Sequence, residues 1–191
     1  MIKHTSTYIE MRTMVSNVAA LAPYLDWIVS GGPKAINKLY DGMSLLHLAV
    51  RGNHTAAVEL LLSKNADINL QDYMGRTPLV TAIEEGHTAL ATSLLEQGAD
   101  PTIAEFAELH GQHYSGDNAL HYAIKFKDEG AATKILAVAI IDPSLDANIA
   151  NLYGQTPASL AAASGDDELI QIFAAHESAV IGDTTADQLP E

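Results

Sequence analysis

The side chains with the widest chemical reach in this chain are its eight histidines, set against 24 carboxylates and no cysteine. His110 and His113 form a His-x-x-His pair, with His121 close behind; joined by a carboxylate, such a pair has the donor types for zinc. No third ligand stands at a recognised spacing, and the lack of cysteine removes thiolate metal sites, thiol nucleophiles and disulfides. The sequence holds no Gly-x-x-x-x-Gly-Lys-Ser/Thr loop, no Gly-x-Ser-x-Gly elbow and no His-Glu-x-x-His. Asp166, Asp167 and Glu168 are contiguous. They point apart around a helix start and favour its dipole instead of flanking a substrate. No catalytic residue, metal or cofactor is expected.

The tyrosines point to binding. Tyr40, Tyr73, Tyr114 and Tyr153 stand one or two residues before Gly42, Gly75, Gly116 and Gly154, and they are four of only seven in the chain. Tyrosine gives large, stiff, amphipathic contact area at small entropic cost and is enriched in binding hot spots. One ring per repeated unit predicts a row of them on a solvated face, where a row of rings has no structural use.

Charge narrows the partner. The net charge of −14 is graded along the chain: residues 1–64 carry +2, residues 65–134 carry −7 and residues 135–191 carry −9, the last cation being Lys134. Nucleic acid, which is bound by Lys and Arg displacing counterions, is disfavoured. A protein partner with a basic surface is expected, its association slowing as salt rises; solubility alone would also use this charge. No run approaches the ~20 apolar residues of a membrane span, and Met1 to Met14 lacks the pattern of a signal peptide. The expectation is a cytoplasmic, monomeric protein where it is synthesised, with export possible.

The units that carry these residues are repeats. Gly42-Met43-Ser44-Leu45-Leu46-His47-Leu48-Ala49 is echoed by Gly75-Arg76-Thr77-Pro78-Leu79-Val80-Thr81-Ala82, by Gly116-Asp117-Asn118-Ala119-Leu120-His121-Tyr122-Ala123 and by Gly154-Gln155-Thr156-Pro157-Ala158-Ser159-Leu160-Ala161. Behind the first two come Leu60-Leu61-Leu62 with Asn65-Ala66-Asp67, and Leu94-Leu95 with Gly98-Ala99-Asp100. Ser44, Thr77 and Thr156 suit helix N-caps, with Pro78 and Pro157 at the first helical position. Gly86, Gly165 and the Gly52-Asn53 pair end these helices. Ala49, Ala82, Ala123 and Ala161 keep them slim, while Val58, Leu61, Leu62, Leu90, Leu94, Leu95, Ile135, Leu136, Leu169, Ile172 and Phe173 give a second helix its apolar face.

The 33-residue step from Gly42 to Gly75, with the Thr-Pro-Leu-His-x-Ala pattern, resembles the ankyrin repeat family over residues 25–175. The resemblance implies an all-α solenoid of stacked helix-turn-helix units with short finger hairpins. It assigns His47, His121, His54 and His87 to structural hydrogen bonds. It divides the chain into an N-terminal cap with a half repeat (1–40, Trp27-Ile28-Val29 and Ile36-Asn37 echoing later repeats), repeats at 41–73, 74–114 and 115–152, a capping repeat at 153–177, and a flexible acidic tail at 178–191. The 41 residues between Gly75 and Gly116, and the 38 between Gly116 and Gly154, exceed the period by eight and five. The excesses fall within Ile103–Tyr114, expected to lengthen a finger or add a helical turn to it, and within Ala137–Asn148.

Ankyrin proteins generally bind along finger tips and the concave face of the inner helices. The expected partner-binding residues are Tyr40, Met43, Tyr73, Met74, Arg76, Tyr114, Asp117 and Tyr153 at the tips, with Arg51, Glu84, Glu85, Lys125 and Phe126 at the ends of the inner helices. Phe126 is either a hot spot or packed under the eight-residue insertion. The function expected is a non-catalytic protein-binding module, such as a secreted bacterial effector or a host-protein adaptor. The alternative is an acidic inhibitor or immunity-type protein that neutralises a basic toxin or enzyme.

Overall fold

Polar side chains start each of the four inner helices among the described residues. Ser44 Oγ accepts the His47 N–H at 3.2 Å, Thr77 Oγ1 that of Val80 at 3.4 Å, and Thr156 Oγ1 that of Ser159 at 3.1 Å. In the third repeat Asn118 takes over, accepting from Leu120 and His121 at 3.1 and 3.2 Å. Each cap satisfies donors that the first turn leaves free. The hairpins that follow pair α1 (Leu45–Arg51) with α2 (Thr55–Ser63), α3 (Pro78–Glu84) with α4 (Thr88–Glu96), α5 (Ala119–Lys125) with α6 (Glu129–Ile141), and α7 (Pro157–Ser164) with α8 (Asp167–Ala186). This computed structural model describes residues 36–106, 115–141 and 148–186, together with Thr13, Val15, Ser16, Asn17, Ala19, Glu108, Leu109, Gln112, His113 and Asp146.

Each described inner helix turns into its outer helix through one left-handed residue: Asn53 (φ 54°), Gly86 (φ 73°), Lys127 (φ 55°) and Gly165 (φ 66°). Glycine and asparagine tolerate this conformation; lysine rarely does. The inner helices stack in order α1, α3, α5, α7, each against its own outer helix, and α4, α6 and α8 lie side by side behind them. Ala49, Ala82, Ala123 and Ala161 are buried at the inner seam, and Val58, Leu61, Leu90, Leu94, Leu95, Ile135, Leu136, Leu169 and Phe173 fill the space between the rows. Leu62 and Ile172 are half-buried against them. A buried side chain of this size contributes about 2 kcal/mol over an exposed one, and the neighbouring repeats supply part of that burial.

Turns repeat as faithfully as helices. Asn37 Oδ1 accepts the Asp67 N–H, and Asn69 Oδ1 the Asp100 N–H, both at 2.9 Å. Ile36-Asn37 therefore does match Ile68-Asn69. Trp27 to Val29 lie outside the described residues.

The two excesses take different forms. The first is a finger extension, in which β1 (Glu108–Leu109) pairs antiparallel with β2 (Gln112–His113). The second goes partly into α6, which has 13 residues where α2 and α4 have nine. The last outer helix continues to Ala186, past the Ser178 at which a tail is expected to begin. Residues 187–191 lie outside the described residues.

Candidate protein-binding surface

The second, third and fourth fingers are built on the same bond. Asp72 N–H donates to the Arg76 carbonyl, Glu105 N–H to that of Asp117 and Asn151 N–H to that of Gln155, each at 2.9 Å. Across fingers, Tyr73 N–H donates to the Gly42 carbonyl at 2.9 Å, Phe106 N–H to that of Met74 at 3.1 Å and Leu152 N–H to that of Ser115 at 2.9 Å. These bonds set the register, and the register corrects the expected row of tyrosines. Tyr73, Phe106 and Leu152 occupy one position; Met74, Ser115 and Tyr153 occupy the next. Tyr114 lies outside the described residues, and it is Phe106 that lies over Gly75. Phe106 stands 33 residues after Tyr73, as Tyr73 stands 33 after Tyr40. Counting forward from the preceding finger finds it, whereas alignment on Gly116 does not, because the extension intervenes.

Tyr73 is 49% and Tyr153 68% exposed, and Phe126 is 49% exposed. Phe126 stacks on Tyr122 with ring planes 4° apart and centroids at 6.1 Å. That ring borders a groove of about 330 Å³ with Ile83, Glu84, Gly86, Thr88 and Glu129. A second groove, of about 450 Å³, is lined by Asp41, Gly42, Met43, Arg51 and Tyr73. Tyr40 is half-buried against the core, with the Lys38 ammonium 5.4 Å above its ring. Met74 is half-buried. Arg51 and Glu85 are exposed and pair across repeats at 2.9 Å.

Three tip residues expected to face a partner are buried instead. Met43 packs into the core of the first repeat, and Arg51 Nη1 reaches its sulfur at 4.0 Å. Arg76 is clamped by Asp72 at 2.9 Å and by the half-buried Glu84 at 2.7 Å. Burial works against the charge of Arg76, but the two carboxylates outweigh it and raise its pKa. Asp117 accepts from Asn151 Nδ2 at 2.9 Å and from the ammonium of Lys125, whose own side chain is partly exposed. Burial would raise the Asp117 pKa, yet bonds from Asn151, Lys125 and Ser115 hold it below its ordinary value. Met43 is buried as an apolar side chain, whereas Arg76 and Asp117 share an electrostatic cause: unsatisfied charge is costly inside a turn, so the turn's polar side chains fold inward onto each other. Tyr122 joins this network through its hydroxyl, which donates to Glu105 at 2.7 Å; burial and that carboxylate push its pKa up.

The signature histidines His47 and His121 are similarly engaged. His47 Nε2 donates to the Arg76 carbonyl and His121 Nε2 to that of Gln155, both at 3.0 Å, so each ties its repeat to the next. Burial lowers the pKa of both, and a neutral ring fits a single donated bond to a carbonyl. His87 Nε2 lies 3.3 Å from the Arg51 carbonyl, and the His54 ring lies over Gly52. Among the described residues no cluster of three or more His, Asp or Glu side chains could hold a metal ion; His110 lies outside them. Among the same residues, no helix is long and apolar enough to cross a membrane.

The architecture is that of a helical-repeat solenoid, in which paired helices stack and successive fingers join by backbone bonds. More narrowly, the chain belongs to the ankyrin repeat family: the model for ankyrin repeats in three copies matches residues 17–105. It is similar to the B-cell lymphoma 3 protein homolog of Mus musculus, 30% identical over 160 residues that make up 83% of this chain and 33% of that protein. It is 48% identical over 65 residues to the ADP-ribosylation factor GTPase-activating protein AGD2 of Arabidopsis thaliana, covering 34% of this chain and 8% of that protein. Over 123 residues it is 33% identical to the putative palmitoyltransferase ZDHHC13 of Danio rerio, covering 64% and 17%. The chain spans a third or less of the length of these relatives. Ankyrin repeats generally mediate protein–protein interaction, and the two enzymes are matched over a small part of their length.

Proposed function

We propose that this chain is a non-catalytic module that binds one partner protein through its finger tips, the ends of its inner helices and the lengthened third finger. One observation carries this reading most directly: Tyr73 and Phe126 stand nearly half exposed, and Tyr153 more than half, on a framework whose buried charges and signature histidines are committed to internal bonds. Aromatic side chains left at such a surface suit hot spots that a partner would desolvate. The contact residues proposed are Tyr73, Tyr153, Phe126, Arg51 and Glu85, with Tyr40, Met74, Glu84 and Lys125 at the margins.

The partner's surface is basic on this reading, because the chain has no Lys or Arg beyond Lys134. An effector or an adaptor would use the module to engage one target. The same charge gradient supports the second reading, an inhibitor that covers a basic toxin or enzyme. Affinity purification at physiological salt identifies the partner, and titration then tests the surface. A Tyr73→Ala, Tyr153→Ala variant should keep its helical signal and lose about 2 kcal/mol or more of binding free energy. Unchanged affinity in that folded variant would remove the tips from the interface.

A further inference from the structure

Each finger is closed by the one that follows it. A Cβ on Gly42 would stand 2.6 Å from Tyr73 Cδ1, one on Gly116 would stand 3.0 Å from Leu152 Cγ, and one on Gly75 would run into the backbone of Phe106. Every such cover is accompanied by the backbone bond to the Gly42, Met74 or Ser115 carbonyl described above. The step thus has two parts: a large apolar side chain lies on a bare left-handed glycine, and its own N–H is donated to the turn beneath.

Gly154 has the same conformation, φ +72° beside +82°, +86° and +68° in the other fingers. Among the described residues, nothing lies within 4 Å of its Cβ position and nothing donates to the Tyr153 carbonyl. Leu152 beside it is 61% exposed. Along the sequence the charge beyond the third repeat's cations has one sign: nine carboxylates and no Lys or Arg follow Lys134, and the cations of the preceding repeat, Lys125, Lys127 and Lys134, are paired with Asp117, Asp166 and Glu96.

We propose that the fourth finger is a docking shelf for an extended segment of a partner protein bearing an aromatic or leucine side chain flanked by Lys or Arg. The segment's N–H donates to the Tyr153 carbonyl, its apolar side chain covers Gly154, and its cations meet an end of the molecule without a free positive charge. It repeats, between chains, the step that joins the fingers within this one. Edge-on addition of an extended segment draws affinity from main-chain bonds and specificity from the side chain it seats. The inference rests on the protein-binding reading and names the recognition element within it.

The probe is a capped hexapeptide, Lys-Ile-Ala-Lys-Phe-Lys, patterned on the Ile103–Phe106 segment that covers Gly75. It is titrated into the full chain while backbone amides are followed by NMR. Shifts should concentrate at Tyr153, Gly154 and Gln155. Methylating the Phe amide nitrogen, or replacing that Phe by Ala, should each weaken binding about tenfold or more, and glutamates in place of the lysines should weaken it as well. Gly154→Asn keeps the left-handed turn but fills the shelf; it should abolish the shifts and leave the thermal melt unchanged. Shifts centred on Phe126, or equal binding of the N-methylated peptide, would overturn the inference. So would self-association that Gly154→Asn abolishes, since the shelf would then belong to a second copy. A purified partner that depends on Tyr73 and Phe126 but ignores Gly154→Asn would overturn it while leaving the protein-binding reading intact.

Discussion

His47 and His121 act as rivets between repeats, and their burial makes them sensitive to acid. The folded pKa of each lies below its ordinary value of 6.5 because burial disfavours the charged ring. The unfolded chain therefore takes up protons more readily, so stability is at its full value above 6.5 and falls as pH drops below it. Urea titrations should give a smaller unfolding free energy at about pH 5 than at about pH 7.5, with a reduced difference in His47→Gln. A wild-type protein equally stable at both would contradict the assignment. Arg76 makes the complementary case. Asp72 is fully buried beneath it, so Arg76→Met strands a carboxylate and should cost about 3 kcal/mol of stability, read from the same titrations. Such a loss identifies Arg76 as a structural residue, where its tip position alone suggests a partner contact. A loop position tells nothing about which way its side chain turns. That is why Met43, Arg76 and Asp117 were not legible as interior residues, whereas the caps Ser44, Thr77 and Thr156 were.

Helices and turns follow the period closely enough that most could be read from spacing. The outer helices, the inner-seam alanines and the left-handed stops at Asn53, Gly86 and Gly165 all sit where the repeat places them. Lys127 occupies the same stop in the third repeat with no residue-type signal to mark it. The eight-residue excess misled the reading of the third finger because it interrupts the turn between its two halves, after Phe106 and before Ser115. In the second and fourth fingers the equivalent residues, Tyr73-Met74 and Leu152-Tyr153, are adjacent. Deleting residues 107–114 joins Phe106 directly to Ser115 and restores that arrangement. The shortened chain should retain its helical circular dichroism and melt within a few degrees of the parent, about 1 kcal/mol or less in stability. Loss of cooperative melting would show that the extension supports the slab.

At the scale of the whole molecule, a slab of stacked hairpins has two kinds of surface. The outer helices and the seams hold it together; the tips and inner-helix ends carry Tyr73, Phe126 and Tyr153. Family and fold were legible because a fixed period imposes the same burial on every unit. The shelf at Gly154 was not, because it is defined by what lies next to a finger and leaves no trace in the finger's own residues. Amide hydrogen exchange on the full chain, free and saturated with its purified partner, tests the account most directly. Protection should appear at residues 72–76, 115–117 and 152–155 and at the turns 51–54, 84–87 and 125–128, while exchange in α2 and α4 stays as in the free protein. Protection confined to those outer helices, with tips and turns unchanged, would contradict it.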